Sequence, residues 1–195
     1  IFTDLSSKYI LSDYDYILFG ITFSKLFQLA DEHIIALNAR YRDSFNDVPS
    51  QNQFSLGGIY NMRGIPVGYS KYVGKKRVLL ACEYRHVLVR ELDINIFNLA
   101  RFRKIQGAIY TDAGSVADTV YEQREKKADP LFTYDGGYNR LIDYTNYNSD
   151  IGYSLRLFFD AFGVRSTLLR FDIAKQLNNF NDESLQFYVT FDQAF

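Results

Sequence analysis

The chain has 195 residues and a formal net charge of −1, so it is sized for one domain and carries no basic excess pointing to nucleic acid. Mean hydropathy is −0.19 and no run of about 18 apolar residues occurs, which excludes a transmembrane helix. Aromatics make up 17% of the chain, however, and a transmembrane β-barrel escapes the hydropathy test because its apolar and polar residues alternate. The lone Cys82 excludes an internal disulfide. The chain begins at Ile1 with neither Met nor a signal peptide, which reads as a fragment or a processed chain.

Residues 1–11 hold Phe2, Leu5, Tyr9 and Ile10, the expected end of a strand and a loop. From Tyr14 the period is two: Ile17, Phe19, Ile21 and Phe23 share a face opposite Tyr16, Leu18, Gly20 and Thr22. A short connection is expected at Gln28 to Asp31. The next strand sets His33, Ile35, Leu37, Ala39 and Tyr41 against Ile34, Ala36, Asn38, Arg40 and Arg42, a second face polar enough to line a wet lumen. Residues 44–76 read as a long Gly-rich loop. A third strand from about Arg77 places Val78, Leu80, Cys82 and Tyr84 against Leu79, Ala81, Glu83 and Arg85. Val89 to Arg101 is ambiguous, with a turn and a strand start placed there. A fourth strand from Ile105 is expected to close at Asp112-Ala113-Gly114.

Residues 113–149 read as a second long loop, with a charge cluster at Glu122 to Lys127. The fifth strand sets Ile151, Tyr153, Leu155, Leu157 and Phe159 against Gly152, Ser154, Arg156 and Phe158. After a short turn at Asp160 to Gly163, the sixth sets Thr167, Leu169, Phe171 and Ile173 against Leu168, Arg170, Asp172 and Ala174. A loop with Asn178, Asn179 and Asn181 leads to the last strand, which carries Leu185, Phe187, Val189, Phe191 and Phe195 on one face. Short and long connections alternate, as in an all-β, antiparallel transmembrane β-barrel with tight periplasmic turns and extended outer loops. A soluble β-sandwich is the alternative, but its outward face would be polar.

The stretch Phe54 to Ile65, F-S-L-G-G-I-Y-N-M-R-G-I, is too long for a simple turn. Gly57-Gly58 allows a bend where side chains clash, and Arg63-Gly64 sets a permanent cation at the next one. If the loop folds inward, Arg63 must meet acids or water. The pattern F-x-x-G-G followed by an apolar-R-G-apolar tip resembles the signature loop of the BamA and two-partner-secretion superfamily, also called the surface-antigen family. Met62 and Ile65 depart from the usual V-R-G-F or V-R-G-Y tip, losing its aromatic ring. In that superfamily the loop tucks into the lumen, the following strand carries an acid, and the next ends in F-x-D-x-G. Glu83 in C-E-Y-R and Ile109 to Gly114 resemble those two positions.

The resemblance implies that the chain is the C-terminal half of a sixteen-stranded barrel, with about 7–8 strands present. It implies a loop latch of Arg63, Gly64, Gly57, Gly58, Glu83, Asp112 and Gly114, with Arg63 paired to the acids, which also fall on polar faces of neighbouring strands. It implies that Phe187, Val189, Phe191 and Phe195 form a C-terminal assembly signal. The implied role is insertion of outer-membrane proteins or translocation of polypeptides, in the outer membrane of a Gram-negative-type bacterium. Partners would be outer-membrane lipids including lipopolysaccharide, client polypeptides, and periplasmic or lipoprotein subunits. The alternatives are a barrel that anchors or exports an upstream patatin-like lipase, and a plain porin-like channel.

Catalysis finds little support in the residues. Gly152-Tyr153-Ser154 completes no G-x-S-x-G and no helix follows. His33 and His86 sit inside strand patterns and read as interfacial girdle residues. No Cys/His spacing suits a metal, and Gly136-Gly137 lacks a following P-loop lysine. No enzyme activity, metal or cofactor is expected, and Arg124, Lys126 and Lys127 read as a solvated loop face open to lipopolysaccharide.

Overall fold

The computed structural model describes residues 1–7, 13–46, 48–97, 99–128, 147–161, 165–178 and 185–193. Its core is one antiparallel sheet of β1 (Phe2–Ser6), β2 (Tyr16–Ala30), β3 (His33–Asn46), β4 (Phe54–Ser55), β5 (Val73–Val89), β6 (Ile94–Ile96), β7 (Ala100–Thr119), β8 (Asn148–Ala161), β9 (Arg165–Gln176) and β10 (Leu185–Gln193), with one α-helix among the described residues, α1 (Val120–Ala128). The main path runs β1-β2-β3-β5-β7-β8-β9-β10, so sequence neighbours pair throughout; β4 and β6 add short extra pairs to β5 and β7. The sheet is open, with β1 and β10 at its two edges.

The alternation read from the sequence sorts side chains to two faces because paired residues on antiparallel strands project to the same side. Across β3, β5 and β7 the pairs Leu37 with Cys82 and Cys82 with Thr111 lie on one face. Ala36 with Glu83 and Glu83 with Tyr110 lie on the other. The first face is apolar and uncovered: Phe23, Phe187 and Phe191 are 61%, 69% and 70% exposed. Large aromatics bared to that degree along a whole sheet face mark contact with something other than water. The second face buries its polar groups, among them Glu83, Asp112, Asp150, Arg156 and Asp172. This is the reverse of a soluble sandwich, whose dry side lies inside.

At the end of the short connections, the apolar face carries a row of rings. His33 stacks on Tyr84 at 5.9 Å, Tyr84 on His86 at 5.6 Å, and His86 leans on Tyr153 at 6.2 Å. His33 Nδ1 lies 2.6 Å from the Tyr84 hydroxyl. Amphipathic rings of this kind suit a boundary between apolar and wet surroundings.

Several boundaries differ from the sequence reading. The first short connection is the two-residue turn Asp31–Glu32, tighter than Gln28 to Asp31, with Glu32 at φ 70°. The first long connection narrows from 44–76 to 47–72, because β3 runs to Asn46 and β5 starts at Val73. The ambiguous stretch before residue 101 holds the small hairpin of β6 on β7, joining Ile94 to Phe102 and Ile96 to Ala100.

The largest correction concerns the fourth strand. It does not close at Asp112-Ala113-Gly114; β7 runs on to Thr119, paired to the start of β5 by Val78–Ser115, Lys76–Ala117 and Gly74–Thr119. The long connection therefore begins with α1, not at residue 113. Thr119 and Glu122 form its N-terminal cap: Glu122 Oε2 accepts from the Thr119 backbone N–H at 2.8 Å, and the Glu122 N–H donates to Thr119 Oγ1 at 3.2 Å. Residues 129–146, with Gly136-Gly137, lie outside the described residues, as do Gly163, Asn179, Asn181 and Phe195.

Candidate functional site: a loop seated on the polar face

The connection 47–72 folds back over the polar face instead of standing off the strand ends. Its base is tied to the sheet edge of β5 by the β4 pairs Phe54–Gly74 and Ser55–Val73, and by the Leu56 N–H donating to Tyr72 O at 2.8 Å. From there it closes on itself. The Met62 N–H donates to Leu56 O at 2.8 Å, and the Gly58 N–H to Met62 O at 3.1 Å and Ile65 O at 3.0 Å. Gly58 holds φ +108°, a left-handed geometry that resists any side chain. Gly57 sits where a Cβ would meet the Pro66 and Ile65 carbonyls.

Leu56, Met62 and Ile65 are fully buried and join Tyr72, Leu79 and Val116 in an apolar cluster between loop and wall. The extension of β7 past Asp112 supplies Val116, and Gly114 makes room there for the Leu56 side chain. Removing three large apolar side chains from water stabilises the seated loop by roughly 1.5–3 kcal/mol each. Arg77 clamps the loop's two limbs: its Nη1 donates to Ser55 O at 2.6 Å and to Asn61 Oδ1 at 2.8 Å.

The apolar packing delivers the tip, Met62-Arg63-Gly64, onto the middle strands. Arg63 is 6% exposed. Its Nε donates to Asp112 Oδ2 at 3.1 Å and its Nη2 to Asp112 Oδ1 at 3.2 Å, the fork-on-fork geometry in which a guanidinium grips a carboxylate. Its Nη1 lies 3.6 Å from Glu83 and 3.6 Å from Asp172, beyond hydrogen-bond range but within ionic reach. The plane rests on the Tyr110 ring, 3.1 Å from its centre. One cation thus meets carboxylates from β5, β7 and β9 and a ring from β7.

Gly64 completes the seat. Its N–H donates to Asp150 Oδ2 at 2.6 Å, and the other oxygen of Asp150 accepts the Asp112 N–H at 3.2 Å. Asp150 therefore bonds the tip and the strand beneath it at once. A Cβ on Gly64 would fall 2.5 Å from Asp150 Cβ and 2.9 Å from the Gln176 backbone nitrogen, so backbone would have to move.

The acids around Arg63 have partners of their own. Glu83 accepts from Arg85 Nε at 2.8 Å and from Arg156, and Asp172 accepts from Arg170 Nε at 2.7 Å. Because these charges are paired, their burial beneath the loop is tolerated.

Of the sequence-expected residues, Arg63, Glu83, Asp112 and Gly64 meet in one place, Gly57 and Gly58 shape the loop that reaches it, and Gly114 lies under Leu56. Phe187, Val189 and Phe191 lie exposed on the apolar face of β10, the strand next to β9, and so on the opposite side of the sheet from this site; Phe195 is outside the described residues. Sequence reasoning missed Asp150, Tyr110 as a cation-bearing ring, and the clamp Arg77. It placed Asp172 and Arg156 on polar strand faces without assigning them to Arg63 and Glu83. Among the described residues no cluster of His, Cys, Asp or Glu is arranged to hold a metal ion, and no helix is long and apolar enough to cross a membrane.

No protein-family model and no curated protein matches the chain. Among solved structures it is similar to the crystal structure of BamA from Haemophilus ducreyi lacking POTRA domains 1-3, with a TM-score of 0.57 and 18% sequence identity. The match covers 91% of this chain and 35% of that one, so the chain spans about a third of the length of its structural neighbour. At this identity the likeness is one of fold, and the chain has the antiparallel architecture of part of the BamA barrel.

Proposed function

We propose that this chain is part of the wall of an outer-membrane β-barrel in a Gram-negative-type bacterium, and that the barrel inserts other outer-membrane proteins or passes polypeptides across the membrane. The likeness in fold to BamA and the bare apolar face support the coarse part of this reading. The observation that carries the finer part is the seated Arg63. A buried guanidinium held by three strands and a ring braces the wall against a loop that has no catalytic group to present.

Mechanically, unpaired strand backbone cannot be satisfied by lipid, so a seam opened beside β10 would be a template for an incoming strand. Phe187, Val189 and Phe191 give β10 the alternate apolar side chains that strand addition reads. The loop keeps the neighbouring wall rigid while such a seam opens and closes. No bond is made or broken, and no cofactor takes part. Outer-membrane lipids including lipopolysaccharide bathe the apolar face, client polypeptides use the seam or the bore, and periplasmic or lipoprotein subunits attach beyond this chain.

The test is reconstitution of the full-length protein into liposomes, with insertion of an unfolded client barrel followed by protease protection. Arg63→Ala and Asp112→Ala should each slow client insertion several-fold while the protein itself still integrates. Insertion at the unaltered rate in both variants refutes the assembly reading. A higher single-channel conductance in Arg63→Ala with unaltered insertion would assign the loop to a plain channel.

A further inference from the structure

Beside the seated tip, the polar face holds a cavity of about 510 Å³ between β2, β3, β5 and the loop residues Ile59, Tyr60 and Asn61. Five arginines line it, Arg40, Arg42, Arg63, Arg85 and Arg170, against two carboxylates, Glu83 and Asp112. Both acids are engaged, Asp112 by Arg63 and Glu83 by Arg85 and Arg156. No described carboxylate lies in ionic contact with Arg40 or Arg42. Arg42 leans on neutral acceptors, Thr22 Oγ1 at 3.1 Å and the Tyr41 carbonyl at 3.2 Å, and on the Phe2 ring at 4.4 Å. Its strand partner across β5 is Arg77, another cation, and like charges set directly opposite destabilise a sheet.

Two guanidinium nitrogens around this cavity, Arg40 Nε and Arg170 Nη2, are buried and lack a hydrogen-bond partner. A buried donor left unmade costs about 1–3 kcal/mol, and more when charged. Five guanidinium groups against two engaged carboxylates, with one nitrogen each of Arg40 and Arg170 unmatched, leave this cavity organised for an anion. We propose that the cavity is a carboxylate-binding site for an acidic stretch of extended polypeptide lying along the polar face.

The spacing selects that occupant. Arg40 and Arg42 stand two residues apart on one strand, a repeat of roughly 6.5–7 Å. Carboxylates at alternate positions of an extended peptide have the same repeat, so a single acidic stretch can satisfy both forks in register, with a free Arg170 nitrogen across the cavity. A guanidinium fork takes a carboxylate on two parallel bonds. The site rests on the polar face being the wet side of the sheet, but it needs no assembly or translocation activity.

The test is isothermal titration of the full-length protein, folded in non-ionic detergent at low salt, with hexaglutamate, hexaglutamine and inorganic phosphate. Hexaglutamate should bind saturably and hexaglutamine should not. Arg40→Gln should weaken hexaglutamate binding about tenfold or more, the loss of one charged hydrogen-bonded contact. Arg40→Lys should retain part of the affinity, and Arg103→Gln, at the far end of β7, should retain all of it. Circular dichroism and the urea midpoint establish that each variant is folded. Absence of saturable hexaglutamate binding, or binding that Arg40→Gln leaves intact, overturns the proposal. Phosphate competing as well as hexaglutamate overturns the peptide as occupant. If the protein instead folds in plain buffer without detergent, the membrane reading falls, and the same titration in that buffer still decides the site.

Discussion

Replacing Asp112 by alanine should bare one specific peptide bond. Arg63–Gly64 is a trypsin site by sequence, yet Arg63 is 6% exposed and Met62 fully buried, so the seated loop hides it. Taking one partner from a buried ion pair costs about 3–5 kcal/mol, most of it the penalty on the charge left behind. Here two further carboxylates, Glu83 and Asp172, stand 3.6 Å from Arg63 Nη1 and remain in place. The lower figure, about 3 kcal/mol, is therefore the appropriate one. Spent on the seated state alone, it raises the unseated population roughly a hundredfold. Cleavage follows that population when opening and closing are fast against proteolysis. Trypsin should then cut Asp112→Ala at Arg63 about a hundred times faster than it cuts the parent there, with the fragments identified by mass. Asp112→Asn keeps one acceptor oxygen and should fall between the two. A cut at Arg63 that accelerates less than about threefold in Asp112→Ala, in a protein with an unaltered urea midpoint, refutes the claim that this carboxylate holds the loop.

Two glycines separate wall packing from surface packing. A Cβ on Gly152 would collide with the Ile173 carbonyl and with the Tyr110 ring that supports Arg63, so Gly152→Ala should cost about 1–3 kcal/mol and lower the urea midpoint. A Cβ on Gly107 meets only the far ends of the Tyr153 and His86 side chains, which can swing away, so Gly107→Ala should change the midpoint little; equal losses in both variants contradict this assignment. In the turn outside the strands, Glu32 is bonded to Arg90, whose hydrogen bond and charge hold the carboxyl below its ordinary range. A depressed folded pKa stabilises above the unfolded pKa, and the contribution vanishes as pH falls through the folded value. Glu32→Gln should thus lower the urea midpoint slightly at pH 7 in low salt and not at pH 2; the pair is exposed, so a large effect, or one that persists in high salt, is inconsistent with it.

The strands were legible because the alternation that fixes them is the alternation that divides the apolar face from the polar one, as in Ile151 to Phe159. The strand end at Asp112-Ala113-Gly114 was misread because small residues there resemble a turn. They are small for another reason: Gly114 lies beneath Leu56 of the folded loop, a contact that no local pattern announces. Arg63, Glu83 and Asp112 could be grouped because motif and face agreed. Asp150 could not, since it lies one residue ahead of the recognised alternation and acts through the Gly64 and Asp112 backbone amides, which leave no trace in side-chain patterning. Thr119-Val120-Tyr121-Glu122 does carry a capping signal, and reading it would have placed α1.

The charges beneath the loop tip are not matched one to one. With Arg63 withdrawn, Glu83 still has Arg85 and Arg156, and Asp172 still has Arg170. Only Asp112 is stripped of its cation, while its neighbour Asp150 loses the Gly64 amide. Of the acids under the tip, Asp112 is thus the one whose charge depends on the loop, while the apolar cluster of Leu56, Met62 and Ile65 brings the arginine to it.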